Sequence, residues 1–552
     1  MRMHILKRSR KKIERQIAEK VARYRHRQGN VSAGKNSKKE NIMKKILSAL
    51  LAMIMVFSLA ACSGNSGSAA TDATPAATSA GKADSPAATG EVYKVKLGFP
   101  TMQAFPNETE VEKVQNFINA HLRDDLGITD FELDLQFISL FDYATNMNMD
   151  LASGATWDII YTLGDLPTAV TNGYMTDLTP YLDNELKGAV DVIKDWLACG
   201  TIDGTVYAIP CYKGQVLSWK YIYDEAYGDA YDMSKVHDLD SLTEALAAMK
   251  AKYPDETFEV FNNQFVNLTS FEDHTSVVGT YTATVGDSTQ LVNYFATDSF
   301  KRGVELAYQH RQAGYSDPEG STNTQSHDAL VMSGSSKGVV MGHAYSIETV
   351  DQMFTMNNTY GATFKSVEIG RSDMSTNTLT YGIPYTSKNP AAAAKMLNLI
   401  WTDEVVANAL IYGLEGESWE WNADHTSIQY PEGLSINTVP YTALYTCGAF
   451  GNQFLLYGFD GNTSESDKAF MKELLDEAWY PPLFGFMPSS EKVSTQVAAV
   501  SNVYNQYFKP LTYGDVNPDE VLPQFLSDLE EAGINDIIAE YQSQVDAWLA
   551  TK

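Results

Sequence analysis

The chain has no Cys-x-x-Cys pair and no Cys/His spacing of a zinc site. Its cysteines are Cys62, Cys199, Cys211 and Cys447. Four thiols in 552 residues do not make a disulfide scaffold. Basic residues are scarce once the first 45 positions are set aside. Those positions hold 16 of the 41 Lys and Arg and 3 of the 69 Asp and Glu. That leaves 25 basic residues against 66 acidic ones in the remainder. Such a surface argues against nucleic acid, because neutralising phosphates needs basic side chains. It argues equally against adhesion to anionic lipid. Catalytic motifs are missing too: there is no His-Glu-x-x-His, no P-loop and no Gly-x-Gly-x-x-Gly that opens a helix after a strand. Gly334-Ser335-Ser336-Lys337-Gly338 matches Gly-x-Ser-x-Gly. Its expected setting is a helix before and a strand after, the reverse of a nucleophile elbow. Asp460 opens like a calcium loop, but Glu465 and Met471 stand where Gly and Glu are needed. No metal, cofactor or catalytic residue is expected.

Apolar residues make up 44% of the chain, so this is not a disordered acidic protein. Lys44-Lys45 are followed by an almost unbroken apolar run to Phe57 and a small-residue end. That is the pattern of a secretory signal, and the run is shorter than the roughly 20 residues that span a bilayer. Leu59-Ala60-Ala61-Cys62 resembles a bacterial lipobox. The resemblance implies cleavage before Cys62 and lipidation of that residue. The plain alternative is an ordinary signal or short anchor with an incidental cysteine. Residues 1–42 are strongly basic and precede a Met43 that looks like a true start. They are expected to be a start-site artefact or a long n-region, absent from the mature protein. Residues 63–90 are Ser, Ala, Gly, Thr and Pro with no large apolar side chain, a flexible tether.

About 460 residues follow, too many for one core, so two lobes are expected. The folded part opens with an alternating strand at 92–100 and a helix starting at Asn107. A strand at 131–138, a helix around 143–152 and a strand at 157–164 come next. This alternation predicts a parallel sheet of β-α-β units. Ligands sit beyond the carboxyl ends of such strands. A crossing segment at 204–214 and helices near 241–253, 298–313 and 325–333 follow. Residues 337–346 read as a buried strand. Residues 378–416 read as a strand returning to the first lobe and a helix pair, the first helix opened by Pro. The tail is almost wholly helical. No internal repeat is present.

Taken in order, these features resemble the family 1 extracellular solute-binding proteins of ABC importers, the sugar-oligomer-binding group. The lipobox and tether, "WDIIYT", "DGTVYAIP", "GIPYTSKNPAAAAKMLNLIWTDEVVANALIYGLEG" and the "AAVSNVYNQY" tail carry the resemblance, which covers about residues 90–552. "YGLEG", "FGNQFL" and the Gln-x-Gln-x-x-x-Trp ending look like a lipoprotein subgroup with a C-terminal domain of undefined role. The resemblance implies an α/β fold of the two-lobed periplasmic-binding-protein type (type II), with a hinge between the lobes and a helical C-terminal tail. The expected lobes are 91–209 with 379–415, and 210–378 with 416–552. It further implies a lipid-anchored, monomeric extracellular receptor that does no chemistry. Such a receptor hands a small solute, an oligosaccharide above all, to ABC permease subunits. A peptide or other solute on the same fold is the alternative, and a secreted carbohydrate-active enzyme a remoter one.

A neutral sugar offers apolar C–H faces and a ring of hydroxyls. Aromatic rings cover the first, and short polar side chains bond the second. The chain has 31 Tyr, 23 Phe and 8 Trp to draw on. Candidate ligand residues at predicted strand ends are Thr101, Met102, Asp142, Tyr143, Thr162 and Asp165. Tyr212, Lys213, His343, Tyr345, Trp419, Asn452 and Gln453 complete the set. The plain alternative for each aromatic is core packing, which is the expectation for Trp401 and Trp548 on their helices.

Overall fold

The computed structural model describes residues 92–101, 106–162, 165–260, 264–325, 327–344, 364–443, 450–459 and 465–552. Cys62 and Cys447 lie outside them, as do Met102 and Tyr345.

Tyr93–Thr101 and Phe131–Ser139 pair in parallel, with Tyr93 opposite Phe131 and Thr101 opposite Ser139. The helix Glu108–Asp124 connects them. Asn107 caps it, accepting the Glu110 amide at 3.0 Å. Val114, Ile118 and Leu122 recur every four residues, so one face is buried. After the helix Leu140–Ser153 the chain pairs again: Leu97 bridges Ile159 in parallel. Of the strand expected over 157–164, residues 163 and 164 lie outside the described residues, and within 157–162 the strand is Ile160–Tyr161. The buried Asp158 carboxylate explains this. It accepts the Lys96 amide at 2.9 Å and the Tyr93 and Ser387 hydroxyls at 2.7 and 2.6 Å, so a side chain takes the place of a strand backbone.

The returning strand Thr380–Gly382 lies between Ile160–Tyr161 and Ala208–Pro210 and runs antiparallel to both. The sheet is therefore parallel in its first strands only. Two capped helices follow, Pro390–Thr402 behind Asn389 and Glu404–Tyr412 behind Asp403. Trp401 is buried, its indole donating to the Pro210 carbonyl at 3.0 Å.

A second sheet has Leu217–Asp224 at its centre, antiparallel to Gly338–Ala344 on one side and Phe364–Arg371 on the other. The helices Leu239–Lys252, Phe265–Glu272 and Asp298–Gln312 bury Leu246, Met249, Phe265 and Ala307 against it. The helix His327–Met332 precedes Gly338, so the Gly-x-Ser-x-Gly segment has the reversed setting expected of it.

The tail helices Ser494–Thr512, Pro518–Glu531 and Ile534–Leu549 bury Phe525, Ile537, Val545 and Trp548 in a third core. They share it with a small antiparallel sheet, Thr275–Val278, Thr282–Val285 and Val292–Asn293.

The described residues of 416–459 were expected beside the second sheet. Their apolar side chains instead join the first core: Trp419, Ile428, Tyr441, Phe450, Leu456 and Phe459. Hydrogen bonds to the helix Glu404–Tyr412 hold them there. Tyr441 donates to the Leu410 carbonyl at 2.8 Å, Asn408 to Leu455 at 2.9 Å and Tyr412 to Tyr457 at 3.0 Å. Where the chain passes to the tail, Phe484 enters the first core while Leu483 and Phe486 enter the third. Gly485 between them has φ +89°, and a Cβ there would stand 2.6 Å from that of Ala198. Only glycine lets the two backbones come so close.

Candidate functional site

Two stretches carry the chain between the first and second sheets, 211–216 and 372–379, and a third, 476–483, passes from the first core to the third. The first two run side by side. Ser372 donates its amide to the Leu217 carbonyl at 2.9 Å, and Cys211 its amide to Leu379 at 2.9 Å. Asn377 faces away from solvent, its amide group donating to the Cys211 carbonyl at 2.6 Å and its backbone N–H to Cys199 Sγ at 3.3 Å. Cys199 and Cys211 are buried and free. Burial pushes both thiols up, Cys199 to about 12. They are structural side chains and not reactive ones.

The opposite face of 372–379 is open. Asp373, Met374, Ser375, Thr376 and Thr378 line a cavity of about 560 Å³. Asp165 and Pro167 close it from the first sheet, and Asn267, Ser270 and Phe271 from the helix Phe265–Glu272. Thr275 to Tyr281 form another side, and Phe486, Met487, Pro488 and Tyr541 of the C-terminal region the last. The volume falls in the range of small-molecule sites.

Its polar groups are held in place. Ser375 Oγ accepts from the Gln215 amide group at 2.8 Å, and Thr376 Oγ1 from the Gly485 backbone N–H at 3.0 Å. Asp373 Oδ1 lies 3.0 Å from His274 Nδ1. Burial raises the Asp373 carboxyl above the usual carboxylate range, and the His274 contact offsets part of that rise. No Lys or Arg lines the cavity. Hydroxyls, one amide side chain and aromatic rings alternate around it, with Asp165 and Asp373 as the charged groups. This lining suits a neutral, hydroxyl-rich molecule. An anion would meet two carboxylates and no cation.

Of the residues singled out in the sequence, Asp165 lines this cavity. It is exposed and precedes the short helix Leu166–Thr171. Thr101 and Thr162 are buried at their strand ends, and Thr162 Oγ1 meets Thr380 Oγ1 at 2.6 Å. Asp142 is exposed in the first turn of Leu140–Ser153. Tyr143 is wholly buried; its hydroxyl donates to the Gly98 carbonyl at 2.8 Å and accepts the Tyr161 amide at 2.9 Å. It braces the sheet. Tyr212 packs edge-on to Trp196 at 5.3 Å and tilted to Phe454 at 4.9 Å, with half-buried Lys213 beside it. Asn452 is buried, its side chain donating to the Trp401 carbonyl at 2.9 Å, and Gln453 is buried next to it. Trp419 is buried among Trp421 and Tyr457. The backbone of His343 pairs with Ser218.

The residues missed at 267–281, 373–378 and 481–490 have a faint signature. "SDMSTNT" is a polar run that reads as an ordinary turn-rich loop, and "YPPLFGFMP" sets Pro among aromatics. Neither shows from sequence that the two segments meet.

Among the described residues no cluster of three or more His, Cys, Asp and Glu stands as metal ligands would, and no helix is long and apolar enough to cross a membrane.

The architecture and cavity are those of a two-lobed binding protein. Residues 115–407 match the bacterial extracellular solute-binding protein family, and the chain belongs to that family. It is a binding protein of transport systems and not an enzyme. Residues 482–550 match a domain of unknown function, DUF3502. A carbohydrate ABC transporter substrate-binding protein of Streptococcus pneumoniae is 24% identical over 436 residues, which are 76% of this chain and 85% of that protein. The crystal structure of the N-glycan transport solute binding protein NgtS from the same species superposes with a TM-score of 0.68 at 21% identity, over 83% of this chain and 99% of that one. An HMO-binding, ABC-transporter-associated solute binding protein of Bifidobacterium longum infantis gives a TM-score of 0.57 at 16% identity, over 83% and 99% of the two chains. These structural likenesses show the fold.

Proposed function

We propose that this protein is a lipid-anchored receptor on the extracellular face of the cell membrane, held by Cys62, that captures an oligosaccharide and delivers it to an ABC permease. The observation that carries the reading is the cavity lining: hydroxyls and aromatic rings, two carboxylates and no Lys or Arg. The similar proteins, which serve carbohydrate and N-glycan transport, support the same ligand class. Capture is by closure of two lobes over the cavity. The packing supports lobes of 92–210 with 374–475, and 217–371 with the C-terminal helices. The receptor works as a monomer and without a cofactor.

Thermal unfolding of the full chain in mild detergent, against a panel of mono- and oligosaccharides with peptides as controls, tests this. A ligand at 100 times its Kd stabilises by about 2.7 kcal/mol. That is a shift of a few degrees for a chain of this size. A saturable shift with one glycan class, without turnover of it, is the expected result. A shift with a peptide alone would sink the sugar assignment.

A further inference from the structure

Two tyrosines face the cavity from segments more than two hundred and fifty residues apart. Tyr281 sits in the turn between the strands Thr275–Val278 and Thr282–Val285 and is 8% exposed. Tyr541 sits on the last helix and is 6% exposed. Both line the cavity. Among the described residues, neither hydroxyl has a hydrogen-bond partner in the protein. The neighbouring Tyr294 differs, since its hydroxyl meets Ser270 Oγ at 3.2 Å. Both hydroxyls are open to the cavity, where a hydroxyl-bearing solute can meet them.

The packing holds both rings in place. Gly279 adopts φ +66°, and a Cβ there would stand 3.1 Å from the Tyr541 ring and 3.4 Å from Pro488. The turn that carries Tyr281 thus rests directly on the C-terminal region. Burial, and then the nearby Tyr281, keep the Tyr541 hydroxyl above its ordinary titration range. It stays neutral at physiological pH and can both donate and accept, as a sugar hydroxyl requires.

We propose that Tyr281 and Tyr541 are a hydrogen-bonding pair for hydroxyls of the bound solute, and that the 482–550 region is therefore a ligand-selecting wall of the cavity. This rests on the reading of the cavity as the solute site. The two rings also offer apolar faces, and Phe486 and Met487 extend that surface from the same region. The C-terminal region then selects among solutes, while Asp165 and the 372–379 crossing supply contacts from the other side.

The test uses Tyr281→Phe, Tyr541→Phe and the double variant in the full chain. Each is titrated calorimetrically with the glycans and peptides of the panel above. The Kd for the glycan that wild type binds should rise about 2- to 12-fold for each single variant, the range of one lost hydrogen bond. The double variant should lose more. The ligand-free melting temperature should stay the same or rise, because these hydroxyls make no bond within the fold. A double variant with wild-type Kd would overturn the inference and leave the sugar reading intact. So would a ligand-free melting temperature lowered by several degrees, because it would place both hydroxyls in the fold's own network. If wild type binds a peptide and no glycan, the sugar reading fails, and the peptide Kd of the double variant decides the inference. A wild type that binds no member of the panel overturns both.

Discussion

The His274 ring lies stacked on the Trp479 indole, with centroids 4.4 Å apart and planes 29° from parallel. His274 belongs to the turn before the strand Thr275–Val278, and Trp479 to the last stretch joining the cores. The same stretch is tied to the 372–379 crossing, where the Met374 amide donates to the Trp479 carbonyl at 2.9 Å. The stack thus sits beside the cavity, where two of the three connecting segments meet the third core. An aromatic pair of this kind contributes about 0.5–1.5 kcal/mol beyond the area it buries. Trp479→Ala should lower the melting temperature by a few degrees. If a glycan binds, the substitution should also weaken its binding. Calorimetry on the ligand-free and glycan-loaded chain separates the two effects.

Asp165 is the charged group that the first sheet brings to the cavity. A hydrogen bond from a ligand hydroxyl to a carboxylate is worth about 1.5–3 kcal/mol. Asp165→Ala should therefore weaken glycan binding by about 10- to 150-fold while leaving the melting temperature of the ligand-free chain nearly unchanged. Titration of the variant with the wild-type glycan checks this. An unaltered Kd would remove Asp165 from the site.

Tyr143 stands at a predicted ligand position but spends its hydroxyl on Gly98 and Tyr161. Tyr143→Phe strands the buried Tyr161 amide. The cost is about 1–3 kcal/mol of stability. Denaturant unfolding should show a lower midpoint with an unchanged slope. Ligand affinity should stay at the wild-type value, as a brace and not a binding residue requires.

His121 joins two helices of the first core. Its Nδ1 lies 2.8 Å from Asp125 and its Nε2 3.2 Å from Asp403. Burial alone would lower its pKa, but the hydrogen bonds to the two carboxylates outweigh that and raise it above 6.5. A raised histidine stabilises the fold fully below its unfolded pKa, and the contribution disappears as pH rises through the folded value. The melting temperature of wild type minus that of His121→Gln should therefore be largest below pH 6.5 and shrink above it. A scan from pH 5 to pH 9 reads the difference directly. A gap that does not change with pH would mean that the charge plays no part.

Cys199 and Cys211 should resist alkylation in the folded chain and react once it is unfolded, because both thiols are buried and held protonated. Peptide mass mapping after iodoacetamide treatment distinguishes the two states. Labelling of either in native buffer would contradict the packing around Asn377.

What the sequence by itself determined was local. Asn107, Asn389 and Asp403 announce their helices because each cap bonds an amide three residues on. The period-two and period-four apolar patterns place the first strands, the first helix and the helical tail, since burial of one face needs no distant partner to be read. The family resemblance rests on the same local runs. Tertiary structure decided the rest. The return strand Thr380–Gly382 is antiparallel because of which strands flank it, and no side-chain pattern in three residues encodes that. The described residues of 416–459 cover the first core because Asn408, Tyr412 and Tyr441 bond across that contact, over separations that periodicity does not reach. Tyr143 and Trp419 went to packing, while the cavity took Phe271, Asp373, Tyr281 and Tyr541. An aromatic beside a polar residue looks the same in a binding site and in a core. Only the meeting of distant segments, each burying a different part of its apolar surface, sets which rings are left facing the cavity.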